Sequence, residues 1–189
     1  MATAELDDDT PVTLEQYASL PEDNRWKVEA VRGWLVREPR PAPLHSSVQS
    51  RLIYLLEAHK LEHRTGGAVL VEVEFVIAVD PLTVRVPDVA YVSAARIPPG
   101  GYAQPRWHFG PDLAVEVVSP RNTRAELAER VSDFLSAGTR LVWVVDPRTH
   151  TVGVYVPDAA ALTLGATAEL TGGDVLPGFR VPVLDLFPV

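Results

Sequence analysis

At 189 residues, with 47% hydrophobic and 22% charged side chains, the chain can bury a core without staples and is neither disordered nor fibrous in composition. It has no cysteine, which excludes disulfides and any thiolate zinc site and leaves five histidines as the only soft metal ligands. The net charge of -8 argues against a general affinity for nucleic acid, yet residues 1–30 hold eight acidic and two basic side chains while the remainder holds 17 and 15, so a local basic groove stays open.

Residues 1–12 read as an acidic, disordered tail and residues 13–189 as one domain. No apolar run approaches the roughly 18 to 20 residues that cross a bilayer, and the acidic start lacks the pattern of a secretory signal, so a cytoplasmic protein without a membrane partner is expected. Thr13 and Gln16 form a capping-box pattern opening a short helix, which residues 21–24 break. RWKVEAV, a turn at Arg32 and Gly33, and WLVRE alternate as the two arms of a β-hairpin. After a proline-rich stretch, residues 45–62 form a helix with Val48, Leu52, Leu55, Leu56 and His59 on one face. Residues 68–92 are rich in β-branched side chains and predict two or three strands joined by tight turns. The loop over residues 94–110 carries Tyr102, Trp107 and His108 and is long enough for either a functional flap or a surface meander. DLAVEVVS, from Asp112, is the apolar run of a strand covered on both faces. Thr123 and Glu126 cap a further helix that ends at Gly138, followed by a buried strand over 141–145, a hairpin partner over 150–156 and a C-terminal tail of short strands.

Two carboxylates stand out. Burying an ionised carboxylate costs several kcal/mol unless it is paired or holds a metal, so Glu116 inside LAVEVVS requires a reason. Alternation places Ala114, Glu116 and Val118 on one face and Leu113, Val115 and Val117 on the other. Asp88 follows Pro87 at the start of the strand-like VAYV; alone, such a dipeptide marks only a turn. Together the two residues offer the few hard oxygen ligands that a Mg2+ or Mn2+ site needs, with positions left for water and phosphate.

WKVEAVRGWLV, HSSVQSRL, VPDVAYV, LAVEVVSP, FLSAGT, LVWVVDP and LPGF, in that order, resemble the Uma-type restriction endonucleases, a branch of the PD-(D/E)XK nuclease superfamily, over nearly the whole chain from Thr13. The resemblance implies an α/β (α+β) restriction-endonuclease-like core: a central mixed β-sheet flanked by helices, with an N-terminal hairpin and a C-terminal β extension. It also implies a DNA substrate and a homodimer. By the same resemblance Asp88 and Glu116 are catalytic and ligate the metal with the carbonyl of Val117. Glu29 lies near the catalytic site, its alternative being an exposed charge paired with Lys27 or Arg32. His45 and Arg124 are assigned to substrate, although a histidine at a helix start is commonly a surface residue.

The lysine expected two residues after the glutamate is Val118 here. Its usual alternative place, on the following helix, matches Arg130, which otherwise reads as an i,i+4 partner of Glu126. Arginine stays protonated and cannot act as a base, but it can neutralise charge on a transferred phosphate. Only Lys27 and Lys60 are lysines among the 17 basic residues, so the replacement fits either an arginine-biased working enzyme or one that no longer cuts. Two functions therefore follow: a Mg2+- or Mn2+-dependent endonuclease, or a degenerate nuclease-fold binding or scaffold protein. A glycosidase using the two acids lacks the expected groove of exposed aromatics. On the sequence alone, Asp88→Ala should leave the fold intact or more stable by relieving crowded negative charge.

Overall fold

The computed structural model describes residues 10–21, 25–39 and 41–188; the acidic stretch over 1–9 and residues 22–24 of the predicted break lie outside the described residues. Helix α1 (Leu14–Ala18) is closed by the predicted capping box, with the Gln16 amide donating to Thr13 Oγ1 and the Thr13 amide to Gln16 Oε1. The segment before it is less tail-like than its composition predicts. Val12 is buried against the first sheet, and its amide donates to Gly33 O at 2.7 Å.

Strands β1 (Trp26–Val31) and β2 (Trp34–Pro39) form the predicted hairpin. Its turn has positive φ at both Arg32 and Gly33, the primed geometry that matches strand twist. A side chain at Gly33 would meet Pro11 Cβ at 2.8 Å, so glycine serves both the turn and the packing of the N-terminal segment. Helix α2 (Pro43–His63) buries Val48, Gln49, Leu52, Leu56 and His59.

The β-branched region contains four strands rather than two or three: β3 (Ala68–Val71), β4 (Phe75–Val79), β5 (Leu82–Arg85) and β6 (Val89–Val92). The first and last belong to the large sheet and the middle two to the small one. Glu72, with φ of 50°, turns the chain out of one sheet after β3, and Pro87 precedes its return as β6. The small sheet runs β2-β1-β5-β4 and is antiparallel.

The large sheet is completed by β7 (Leu113–Val117), β8 (Leu141–Asp146), β9 (Thr151–Tyr155) and β10 (Leu162–Leu164), in the order β10-β9-β8-β7-β6-β3. Only β7 and β8 pair in parallel, through helix α3 (Arg124–Ser136), so the sheet is mixed as expected. Strands β11 (Glu169–Gly172) and β12 (Leu176–Pro182) form the C-terminal β extension. No helix among the described residues is long and apolar enough to cross a membrane.

All five residues of β7 are buried, and alternation assigns its faces. Leu113, Val115 and Val117 join a core with Val48, Leu52 and Leu56 of α2, Trp143 and Phe179, while Ala114 packs with Val131 and Phe134 of α3. Glu116 therefore belongs to the α3 face. That helix starts at a full capping box in which the Glu126 carboxylate accepts the Thr123 amide at 2.7 Å. Thr123→Ala should lower stability by about 1 kcal/mol, read as a lower urea midpoint at unchanged slope.

Candidate active site

A single step of antiparallel register builds the site. Val89 pairs with Val115, so the preceding Asp88 on one strand and the following Glu116 on the other come together at the start of β6 and the end of β7. Both line a cleft of about 360 Å³, together with Val117, Lys27, Glu38 and His45, and with Ser119, Arg121 and Asn122 beyond the end of β7.

Asp88 is 3% exposed and held on several sides. Its Oδ2 accepts the Val117 amide at 2.7 Å and lies 3.1 Å from His45 Nε2, and its Oδ1 accepts Lys27 Nζ at 3.2 Å. Gln49 Nε2 donates to its main-chain carbonyl at 2.9 Å. Burial works against the charge, but Lys27, His45 and the Val117 amide outweigh it and hold the carboxyl below its ordinary range. An ionised carboxylate can only accept, so His45 Nε2 carries the proton. The Nδ1 of His45 is buried with no partner among the described residues.

Glu116 behaves in the opposite way. Burial, with Asp88 and Glu29 nearby, pushes its carboxyl up to about 7, although Arg130 and Lys27 pull the other way. Arg130 Nη1 donates to its Oε1 at 3.3 Å, and among the described residues no hydrogen bond reaches Oε2. A carboxylate protonated more readily when folded lowers stability as pH rises from the ordinary value of 4.5 through about 7, because the native state then binds more protons than the unfolded one. The metal-free protein should lose melting temperature across that window by calorimetry, and Glu116→Gln should flatten the loss.

Behind Glu116 lies a second layer. Arg130, 3% exposed on α3, donates through Nη1 to Glu29 Oε1 at 2.8 Å and through Nη2 to Glu38. Glu29, fully buried on β1, also accepts the Val86 amide at 2.7 Å and Arg85 Nη1 at 2.9 Å. Arg85 in turn holds Asp133 of α3, with Nε to Oδ2 at 2.9 Å. The small sheet and α3 are thus locked to the floor of the cleft.

The structure brings Asp88, Glu116, Val117 and His45 into the cleft and places Arg130 and Glu29 behind it. The exposed alternative for Glu29 does not hold, since it is buried and bound by two arginines. Nor does the Glu126–Arg130 pair, because Glu126 is used in the helix cap and Arg130 faces inward. Arg124, exposed at the first turn of α3, is not among the cleft residues, and Arg121 is. The loop over 94–110 supplies none of the cleft residues. Its Trp107 is buried against Phe75 and exchanges main-chain hydrogen bonds with Glu74 and Val76, which anchors the loop to the small sheet.

Sequence reading missed Lys27 and Glu38. They face each other across the hairpin register, and Lys27 Nζ reaches Glu38 Oε2 at 3.1 Å as well as Asp88. Burial opposes the Lys27 charge, yet Asp88, Glu116 and Glu38 together raise its pKa, so it is an ammonium. A signal was present: Lys27 and Glu29, two apart on one strand, share a face.

As to a metal, among the described residues no group of three or more His, Cys, Asp or Glu side chains forms a cage. The donor set nonetheless suits a hard divalent cation, which commonly takes one or two carboxylates and leaves its other positions to water and phosphate. Both carboxylates line the cleft, and Val117, whose amide meets Asp88, presents its carbonyl on the same side of the strand. Among the described residues, six carboxylates (Glu29, Glu38, Asp88, Glu116, Glu129 and Asp133) meet four cations (Lys27, Arg32, Arg85 and Arg130), a deficit that one divalent ion offsets.

A mixed sheet with two acidic side chains at neighbouring strand ends, one of them within a doubly covered strand and backed by a helix-borne cation, is the restriction-endonuclease-like core that the resemblance implies. The chain belongs to the Uma2 family, described as "Putative restriction endonuclease", whose model matches residues 14–185. A crystal structure from Anabaena variabilis ATCC 29413, described as "a putative nuclease belonging to DUF820", is similar with a TM-score of 0.83 and 24% identity, covering 94% of this chain and 98% of that one. At that identity the likeness establishes the fold. No curated protein sequence matches the chain.

Proposed function

We propose that the protein is a Mg2+- or Mn2+-dependent endonuclease that hydrolyses DNA phosphodiester bonds, with Asp88 and Glu116 as the metal-binding carboxylates. The observation that carries this reading is the pairing of two buried acids at the end of β6–β7, both open to a cleft, in a chain of a nuclease family. Asp88, Glu116 and the Val117 carbonyl would hold a divalent cation, which would supply charge neutralisation at the phosphate and lower the pKa of an attacking water.

The protein's own groups prepare that site. The Val117 amide and His45 hold Oδ2 of the ionised Asp88, and Lys27 pairs with its Oδ1. Arg130 fixes one oxygen of Glu116 and leaves the other for the cleft. Its guanidinium is shared among three carboxylates, so its role is to balance the Glu116 charge rather than to reach the phosphate. Arg121, at the rim, is placed to meet the nucleic-acid backbone. The homodimer implied by the resemblance is tested by sedimentation equilibrium.

The experiment is conversion of supercoiled plasmid to nicked circle by purified protein in Mg2+ or Mn2+, with EDTA controls and an RNA substrate in parallel. Metal-dependent nicking that EDTA stops supports the reading, and preference for RNA would redirect it. A folded protein that cuts neither substrate across pH and metal makes the binding or scaffold reading the better one.

A further inference from the structure

We propose that Lys27, delivered by β1 rather than by β7 or α3, is the cation that contacts the scissile phosphodiester, and that Arg130 is a positioning residue behind it. The inference rests on the nuclease reading for its substrate class, but its geometry stands apart from that reading. The two positions at which the family resemblance implies a lysine hold Val118 and Arg130 instead.

Arg130 does not line the cleft and is 3% exposed. To reach a phosphate it would have to leave Glu29, a carboxylate with no access to water, whose charge Arg85 alone would then offset. The other lysine, Lys60, pairs with Glu57 within α2 at 2.8 Å and is not a cleft residue. Lys27 does line the cleft.

Its ammonium is held from two sides, by Glu38 Oε2 at 3.1 Å and by Asp88 Oδ1 at 3.2 Å. Three N–H donors against two partners among the described residues leave one for an incoming oxygen. A phosphodiester carries negative charge and must approach Asp88 and Glu116, so a cation fixed against Asp88 offsets the repulsion where it is greatest. Among the described residues, the only other permanent cation lining the cleft is Arg121, which is exposed. The hairpin thus returns, from a distant part of the chain, the positive charge that β7 lacks.

The test compares wild type, Lys27→Met and Lys27→Arg in three assays: binding of a short labelled DNA duplex in Ca2+, binding of Mn2+ alone, and plasmid nicking in Mn2+. Lys27→Met should weaken duplex binding by about tenfold or more, the loss of one charge-assisted contact, and nicking by about 100-fold. It should bind Mn2+ at least as tightly as wild type, because Lys27 and the metal compete for Asp88. Lys27→Arg should recover most of the duplex binding. If the wild type binds duplex but never cuts, and Lys27→Met loses that binding, the Lys27 assignment stands while the nuclease reading falls. Unchanged duplex binding in Lys27→Met overturns the assignment, as does failure of the wild type to bind duplex. Weakened Mn2+ binding would also overturn it, since it would mean that Lys27 only holds Asp88 in place.

Discussion

Asp88→Asn should reduce metal-dependent nicking by about 10³-fold or more, because an amide carries no charge for a divalent cation and only one oxygen to offer. Asparagine is preferable to alanine for this measurement. The sequence alone suggested that removing Asp88 would relieve repulsion. The structure argues the other way: Asp88 is paired with Lys27 and bonded to His45 and to the Val117 amide, so Asp88→Ala leaves Lys27 with Glu38 alone and strands a buried N–H. Breaking such a pair costs about 3–5 kcal/mol, whereas Asn retains the size and one acceptor and should cost about 1–3 kcal/mol. Circular dichroism and a urea melt on each variant separate loss of fold from loss of chemistry.

Arg130→Met should be the most destabilising single change in the second layer, at about 3–5 kcal/mol, because it leaves Glu29, Glu38 and Glu116 facing one another around a vacated cation. The effect is specific in a checkable way. Glu29 is the partner with no access to solvent, so Glu29→Gln combined with Arg130→Met should recover part of the loss in a double-mutant cycle of urea midpoints. An additive double variant would mean that the two side chains do not share one network. Nicking by Arg130→Met, measured at a temperature where it stays folded, should fall through misplacement of Glu116 rather than through loss of a phosphate contact.

What could be read from the sequence were the features with local causes. The hairpin was legible from alternation and Arg32-Gly33, α3 from its capping box, and β7 from an apolar run with one charge inside it. Glu116 stood out because few carboxylates sit in such surroundings. Asp88 became meaningful only beside it. The four strands over residues 68–92 were undercounted because nothing in their composition tells the two strands of the large sheet, β3 and β6, from the two of the small one, β4 and β5.

The ion network was illegible for a different reason. Lys27, Glu38, Arg85 and Arg130 come from two strands of a hairpin, a third strand and a helix, and their contacts span up to 101 residues of sequence. Charge taken singly looks like a solvated surface; only the fold reveals that Arg85, in LTVR, is buried against Glu29 and Asp133. Arg124 shows the converse. It stands close to Arg121 in sequence, but the turn before α3 sends Arg121 to the cleft and leaves Arg124 at the exposed start of the helix.

The central claim is that Asp88 and Glu116 together hold a divalent cation, and calorimetric titration of Mn2+ into the folded protein at a pH above 7 tests it most directly. The expected result is one site in wild type, lost in Asp88→Asn and weakened by at least about tenfold in Glu116→Gln, with proton release on binding that grows when the titration is repeated below pH 7, where Glu116 must ionise to bind. No binding by the wild type, or an affinity unchanged in Asp88→Asn, would contradict it.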